Sequence, residues 1–106
     1  MKLQKYMFLL PRAIELASSR LGVRTIRMSE AFILYSSDYL PQATYSSLVR
    51  HGKNFGYPIS LPTIAQGLRF LVASELLSND NGVYSLTWKG REFLSRIRRY
   101  MLNARL

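Results

Sequence analysis

Thr63, Gln66 and Arg69 recur every three residues, so a helix would carry them along one side while Ile64, Leu68, Leu71 and Val72 line the other. Pro62, Phe70 and Ala73 complete the outer side. The chemistry on offer is directional hydrogen bonding. A glutamine amide pairs bidentately with an adenine edge, a guanidinium pairs with guanine or with phosphate, and a threonine methyl packs on a thymine methyl. The same residues also serve as the plain polar cover of a surface helix, and their spacing alone does not choose between the two readings.

Other chemistries fall away by residue type. The chain has no cysteine, which excludes disulfides, thiol catalysis and cysteine-ligated zinc, and it has a single histidine, His51, which excludes a histidine-cluster metal site. Beside Gly52, His51 reads as a helix-end cation or a solvated side chain. No glycine-rich phosphate loop is present, and no nucleophile stands at an informative distance from a base. The expectation is a protein that is not an enzyme, with no metal and no cofactor. With 15 Lys and Arg against 6 Asp and Glu, the formal charge is +9 and the pI near 10.4, a balance that favours a polyanionic partner because neutralised phosphates release counterions. The alternative is a basic, solvated surface. The apolar run Tyr6 to Leu10 is too short for a signal peptide and is stopped by Pro11 and Arg12, and no stretch approaches the roughly 20 residues of a membrane span. A cytoplasmic setting is therefore expected.

The helix that carries the outer face has a well-marked start. Ser60 is placed to accept from the Thr63 amide, Ile59 and Ile64 sit at staple positions, and Pro62 falls in the first turn, where amides lack partners. At its end stand Ser74 and Glu75 in place of glycine, so a less regular termination is expected. The turn formers Ser78 to Gly82 and the alternating Val83-Tyr84-Ser85-Leu86 read as a hairpin over 76–86, and Thr87 restarts helix. Upstream, Ser29 is read as the cap of a helix from Glu30 to about Tyr39, and a second short helix is read over 43–51, closed by Gly52 in the left-handed position. The connection from Gly52 to Pro58 is longer than a minimal helix-turn-helix link. Val23 to Met28 reads as a short strand or a linker. Leu3, Met7, Leu10, Ile14, Ala17 and Leu21 form a narrow helical seam ended by Gly22 and interrupted by Pro11, and Leu94, Ile97 and Met101 form a second seam on the last helix.

The order of these elements, and the run Tyr84-x-Leu86-Thr87-x-Lys89-Gly90-Arg91-Glu92, resemble winged helix-turn-helix regulators of the MarR/PadR kind over residues 29–94. The motif Ser60-x-x-Thr63-Ile64 followed by Leu68 and Leu71 adds to the resemblance. It implies a mainly α chain with a small β-hairpin (α+β), a winged helix-turn-helix with extra N- and C-terminal helices. The organisation is one domain over 1–106, with an N-terminal helix to residue 22, a core over 29–87 and a closing helix over 88–106. It further implies a dimeric transcriptional regulator that binds double-stranded DNA sequence-specifically. The helix starting near Leu61 would lie in the major groove through Ser60, Pro62, Thr63, Gln66 and Arg69. Arg50, Lys53 and Asn54 before that helix, and Lys89 and Arg91 after the hairpin, are expected on phosphates. The wing tip carries Asp80 and neither Lys nor Arg, so phosphate repulsion argues against its insertion into a minor groove.

For a homodimer, the expected contacts are Leu3, Met7, Leu10, Ile14, Leu94, Ile97 and Met101, although the same seams would also serve to pack the two terminal helices within one chain. Phe55, Tyr57 and Phe70, read as exposed aromatics, support the competing function of a winged-helix protein-interaction module without DNA readout. A small-molecule effector is left open.

Overall fold

The computed structural model describes residues 2–103, with side chains described from residue 10 onward. The chain runs α1 (Lys2–Arg20), α2 (Met28–Tyr39), α3 (Tyr45–Asn54), α4 (Leu61–Ala73), β1 (Leu77–Asp80), β2 (Val83–Leu86) and α5 (Trp88–Asn103). This is the mainly helical, single-hairpin architecture expected, with the terminal helices α1 and α5 packed on each other. Side chains from every helix and both strands meet in one core, among them Ile14, Ile33, Leu34, Leu48, Leu68, Leu71, Leu77 and Phe93.

Pro11 lies inside α1, which continues as one helix through it and ends before Gly22 at φ 72°. Residues 23–27 form no strand. Their backbone is tied to α1 by the Ile26 amide donating to Ser18 Oγ at 3.0 Å, and to α2 by the Arg27 amide donating to Glu30 at 2.8 Å. That second bond moves the start of α2 to Met28. Arg27 stands at the N-cap, and Ser29 lies inside the first turn instead of capping it.

Helix α3 begins and ends later than its sequence suggests. Thr44 caps it reciprocally with Ser47, each amide reaching the other's hydroxyl at 3.2 and 2.8 Å. It passes through Gly52 and closes at Gly56, φ +79°, where the Gly56 amide meets Lys53 O and the Tyr57 amide meets Gly52 O, the paired bonds of a left-handed helix cap. Gly52 has a different purpose, since a Cβ there would lie 2.8 Å from the Tyr57 carbonyl.

The same cap closes α4 without any glycine. Glu75 takes φ 66°, its amide reaches Val72 O, and the Leu76 amide reaches Leu71 O at 2.9 Å. The irregular ending expected from Ser74-Glu75 is thus a regular one held by a strained residue.

In the hairpin, Leu77 faces Leu86 and Asp80 faces Val83, with Asn81 and Gly82 alone forming the turn at φ 53° and 85°. Two positive φ angles in a two-residue loop match the twist of the flanking strands. Ser78 to Asp80, read as turn formers, therefore belong to β1. The Tyr84 amide donates to Ala43 O at 2.8 Å, which ties β2 to the segment just before α3.

Candidate nucleic-acid interface

Ser60 Oγ accepts from the Thr63 amide at 3.4 Å and donates to Thr63 Oγ1 at 2.9 Å, so the start of α4 is held open to solvent with Leu61, Pro62 and Thr63 all exposed. Ile64, Leu68 and Leu71 are buried as the sequence phase requires, and Val72 is half-buried. Gly67, also buried, packs where a Cβ would lie 2.8 Å from Ile33 Cδ1, and that brings α4 close against α2. Gln66 and Arg69 are exposed. At about 100° per residue, Gln66 sits near the middle of the exposed crest, Thr63 leans toward the Phe70 side and Arg69 toward the hairpin.

Phe70 is not free. The Arg24 guanidinium carbon lies 3.6 Å from its ring centroid, and the same guanidinium grips the buried carboxylate of Glu30 in two hydrogen bonds at 2.7 and 3.0 Å. That bonding to Glu30, set against partial desolvation, holds the Arg24 pKa above its ordinary value. The clip covers Phe70 and joins the α1–α2 connection to α4.

The side chains expected on phosphates divide into two groups. Arg50, Lys53 and Asn54 are exposed on α3, the last two in its final turn, only six residues (55–60) before α4 starts. Lys89 instead donates to Ser74 O at 3.2 Å and Arg91 to Leu86 O at 3.4 Å. Lys89 therefore lies at the C-terminal end of α4, roughly 18 Å along its axis from Leu61, and Arg91 at the end of β2. Thr87 caps α5 through the Gly90 amide at 3.1 Å, and its hydroxyl donates to Glu75 O, so the end of α4 and the start of α5 are locked together.

His51 lies in the last turn of α3 and is a core residue, not a solvated side chain. It is 8% exposed, its Nδ1 lies 2.8 Å from the buried Ser36 Oγ, and its ring stacks on Phe32 and Tyr39. Ser36 stands 15 residues upstream, so nothing in the local sequence signals the pair. Beside it a cavity of about 500 Å³ opens between α2, the α3–α4 connection and α5, walled by Phe32, Tyr35, Phe55, Tyr57, Leu94 and Ile97. Arg98 lies at this cavity with Asp38 3.7 Å away. Sequence reading finds Phe55 and Tyr57 as exposed aromatics but not the enclosure they form.

Of the expected dimer contacts, Ile14 and Leu94 are buried in the chain's own core, while Leu10, Ile97 and Met101 are half-buried. The side chains of Leu3 and Met7 lie outside the described residues. Among the described residues, no three His, Asp or Glu side chains converge as metal ligands, and no helix is long and apolar enough to cross a membrane.

No protein-family model and no curated protein matches the sequence. Solved structures do match in fold. A Listeria innocua protein of unknown function superposes with a TM-score of 0.71 at 17% identity over 95% of this chain, which spans 66% of that protein's length. The Mycobacterium tuberculosis MarR family protein Rv2887, in complex with DNA, superposes with a TM-score of 0.65 at 20% identity over 96% of this chain and 74% of its own. The complex of Rv2887 with p-aminosalicylic acid gives 0.60 at the same identity. The chain therefore has the winged-helix fold of MarR-family structures.

Proposed function

We propose that this chain binds double-stranded DNA sequence-specifically as a dimeric, cytoplasmic transcriptional regulator and has no enzymatic activity. The observation that carries the reading is the exposed crest of α4, where Pro62, Thr63, Gln66 and Arg69 stand on a helix whose capped N-terminus projects from the fold. A major groove about 12 Å wide admits such a helix, and the net charge of +9 supplies sequence-independent attraction. Ser60, Pro62, Thr63 and Gln66 face base edges and nearby backbone, while Arg50 and Lys53 neutralise phosphates beside the helix start and Asn54 hydrogen-bonds to them. Lys89 at the far end of α4 and Arg91 at the end of β2 contribute charge from a distance.

Dimerisation uses the half-buried Leu10, Ile97 and Met101, with Leu3 and Met7 as the residues that the sequence seam adds. Ile14 and Leu94 act by holding the two helices in register within each chain. The aromatic cavity supports regulation by a small apolar aromatic compound, because Phe55 and Tyr57 belong to the connection that leads directly into α4.

The test is a salt series of binding to random duplex DNA, run with sedimentation of the free protein. Six phosphate contacts give a log–log slope of about −5, at −0.9 per contact, and Arg50→Ala with Lys53→Ala flattens it by about 2. The free protein sediments at twice the chain mass. Binding that ignores salt, or no binding at low salt, rejects the reading in favour of a protein-interaction module working through Tyr39, Phe55 and Tyr57.

A further inference from the structure

Between α4 and the hairpin lies a notch of about 250 Å³ that the sequence does not announce. Its floor is the apolar flank of α4 at Leu68 and Val72. Its rim is Tyr45 from the first turn of α3, Arg69 from α4, and Asn79 and Tyr84 from the two strands. The Tyr45 and Tyr84 rings meet edge to face with centroids 6.4 Å apart, and Tyr45 remains 38% exposed.

The rim is built of donors. Arg69 is exposed and makes no ion pair among the described residues. Asn79 Oδ1 already accepts from the Gly82 amide at 2.9 Å, which leaves the Asn79 NH2 to donate outward. The Tyr45 hydroxyl adds a third donor, and no carboxylate lines the notch. Asn79 and Asp80 are neighbours on one strand, so their side chains point to opposite faces of the hairpin, and the acid of the wing tip is turned away from the notch. Tyr84 pairs with Asn79 across the hairpin, and its phenol is held above its ordinary pKa by burial and by its neighbour Tyr45. The walls cannot drift apart, because the Tyr84 amide is bonded to Ala43 O and the Leu76 amide to Leu71 O.

We propose that this notch grips the phosphodiester strand running between the groove that α4 enters and the neighbouring groove that the hairpin overlies. Arg69 and the Tyr45 and Asn79 donors hold consecutive phosphate oxygens. The inference rests on the DNA-binding function proposed above and divides the crest of α4 in two. Gln66 faces base edges, whereas Arg69, displaced by about 60° toward the hairpin, faces backbone. A short hairpin without basic residues then suffices, since the strand is held beside the hairpin and not by its tip.

The experiment measures anisotropy of a fluorescein-labelled random-sequence duplex over a salt series, alongside selection of preferred duplexes from a random pool. It compares the full chain with Tyr45→Phe, Asn79→Ala, Arg69→Ala and Arg69→Lys, each checked for folding by thermal melting. Tyr45→Phe keeps the ring packing and removes one donor. It and Asn79→Ala each weaken binding roughly two- to tenfold on every duplex, the size of one net hydrogen bond. Arg69→Ala reduces the magnitude of the salt slope by about 0.9, Arg69→Lys restores it, and no variant changes the selected sequence. A changed selected sequence with an unchanged slope makes Arg69 a base reader and overturns the notch, as do folded Tyr45→Phe and Asn79→Ala proteins that bind as the parent does. If the parent itself binds no duplex at low salt, the DNA-binding function fails first and takes the notch with it.

Discussion

Replacing Gly90 by alanine tests how tightly the hairpin and α5 are joined. An added Cβ falls well inside contact distance of the Leu76 carbonyl oxygen and 3.0 Å from Leu86 Cδ2. Backbone cannot rotate out of the way as a side-chain end can, so the start of α5 must lift. That movement strains the Thr87 amide bond to Leu76 O and the Thr87 hydroxyl bond to Glu75 O. Alanine gains about 1 kcal/mol of helix propensity. Against this stand about 1–3 kcal/mol of overpacking and about 1 kcal/mol for each weakened hydrogen bond, leaving a net loss of about 2–4 kcal/mol. At about 4–8 °C per kcal/mol for a chain of about this size, melting followed by circular dichroism falls by roughly 10–30 °C. Gly67→Ala is the control. Its nearest obstacle is the Ile33 Cδ1 methyl at 2.8 Å, the end of a side chain that can turn, so its loss stays within about 1 kcal/mol. A Gly90→Ala protein that melts at or above the parent temperature refutes the reasoning.

Glu75→Gly should stabilise the chain by about 0.5–1 kcal/mol in urea denaturation. It removes a left-handed cost of about 1–2 kcal/mol and adds back part of it as unfolded-chain entropy, and a lower midpoint contradicts this account. Gln66→Ala should leave melting unchanged and cost about 1–3 kcal/mol at a preferred duplex, with random-sequence binding affected less. Leu68→Ala, which empties a core position, should lose about 2–5 kcal/mol of stability, so its binding defect tracks unfolding. Parallel melting and competition curves separate these last two cases.

Elements with local signals are legible in the chain. The start of α4 follows from Ser60, Pro62 and the Ile59–Ile64 pair, and the hairpin and the restart at Thr87 follow from Asn81-Gly82 and the alternation after it. What depends on contacts distant in sequence is not legible. Two glycines compete to end α3: Gly56 takes the left-handed cap, while Gly52 stays helical where a Cβ would meet the Tyr57 carbonyl. Phe70 looks exposed by helical phase until Arg24, from a segment that reads as a linker, lies over it. His51 is hidden by Ser36 and by aromatic rings from α2. For the candidate site, helical phase puts Gln66 on the crest correctly, but nothing near Arg69 tells of Tyr45 or Asn79, because only the folded chain brings them to one notch. The carbonyl partners of Lys89 and Arg91, Ser74 O and Leu86 O, likewise come from segments that their local sequence does not point to.

The Arg24 clip bears on operator geometry. In the dimer proposed above, half-site centres about 34–36 Å apart, one helical turn, would require the gap between the two α4 helices to be held to a narrow tolerance. Arg24, in the connection between α1 and α2, takes the Glu30 carboxylate of α2 and lies over the Phe70 ring of α4. In the proposed dimer, that side chain would tie the placement of α4 to the segment after α1, so the spacing of half-sites would depend on a contact outside the crest of α4.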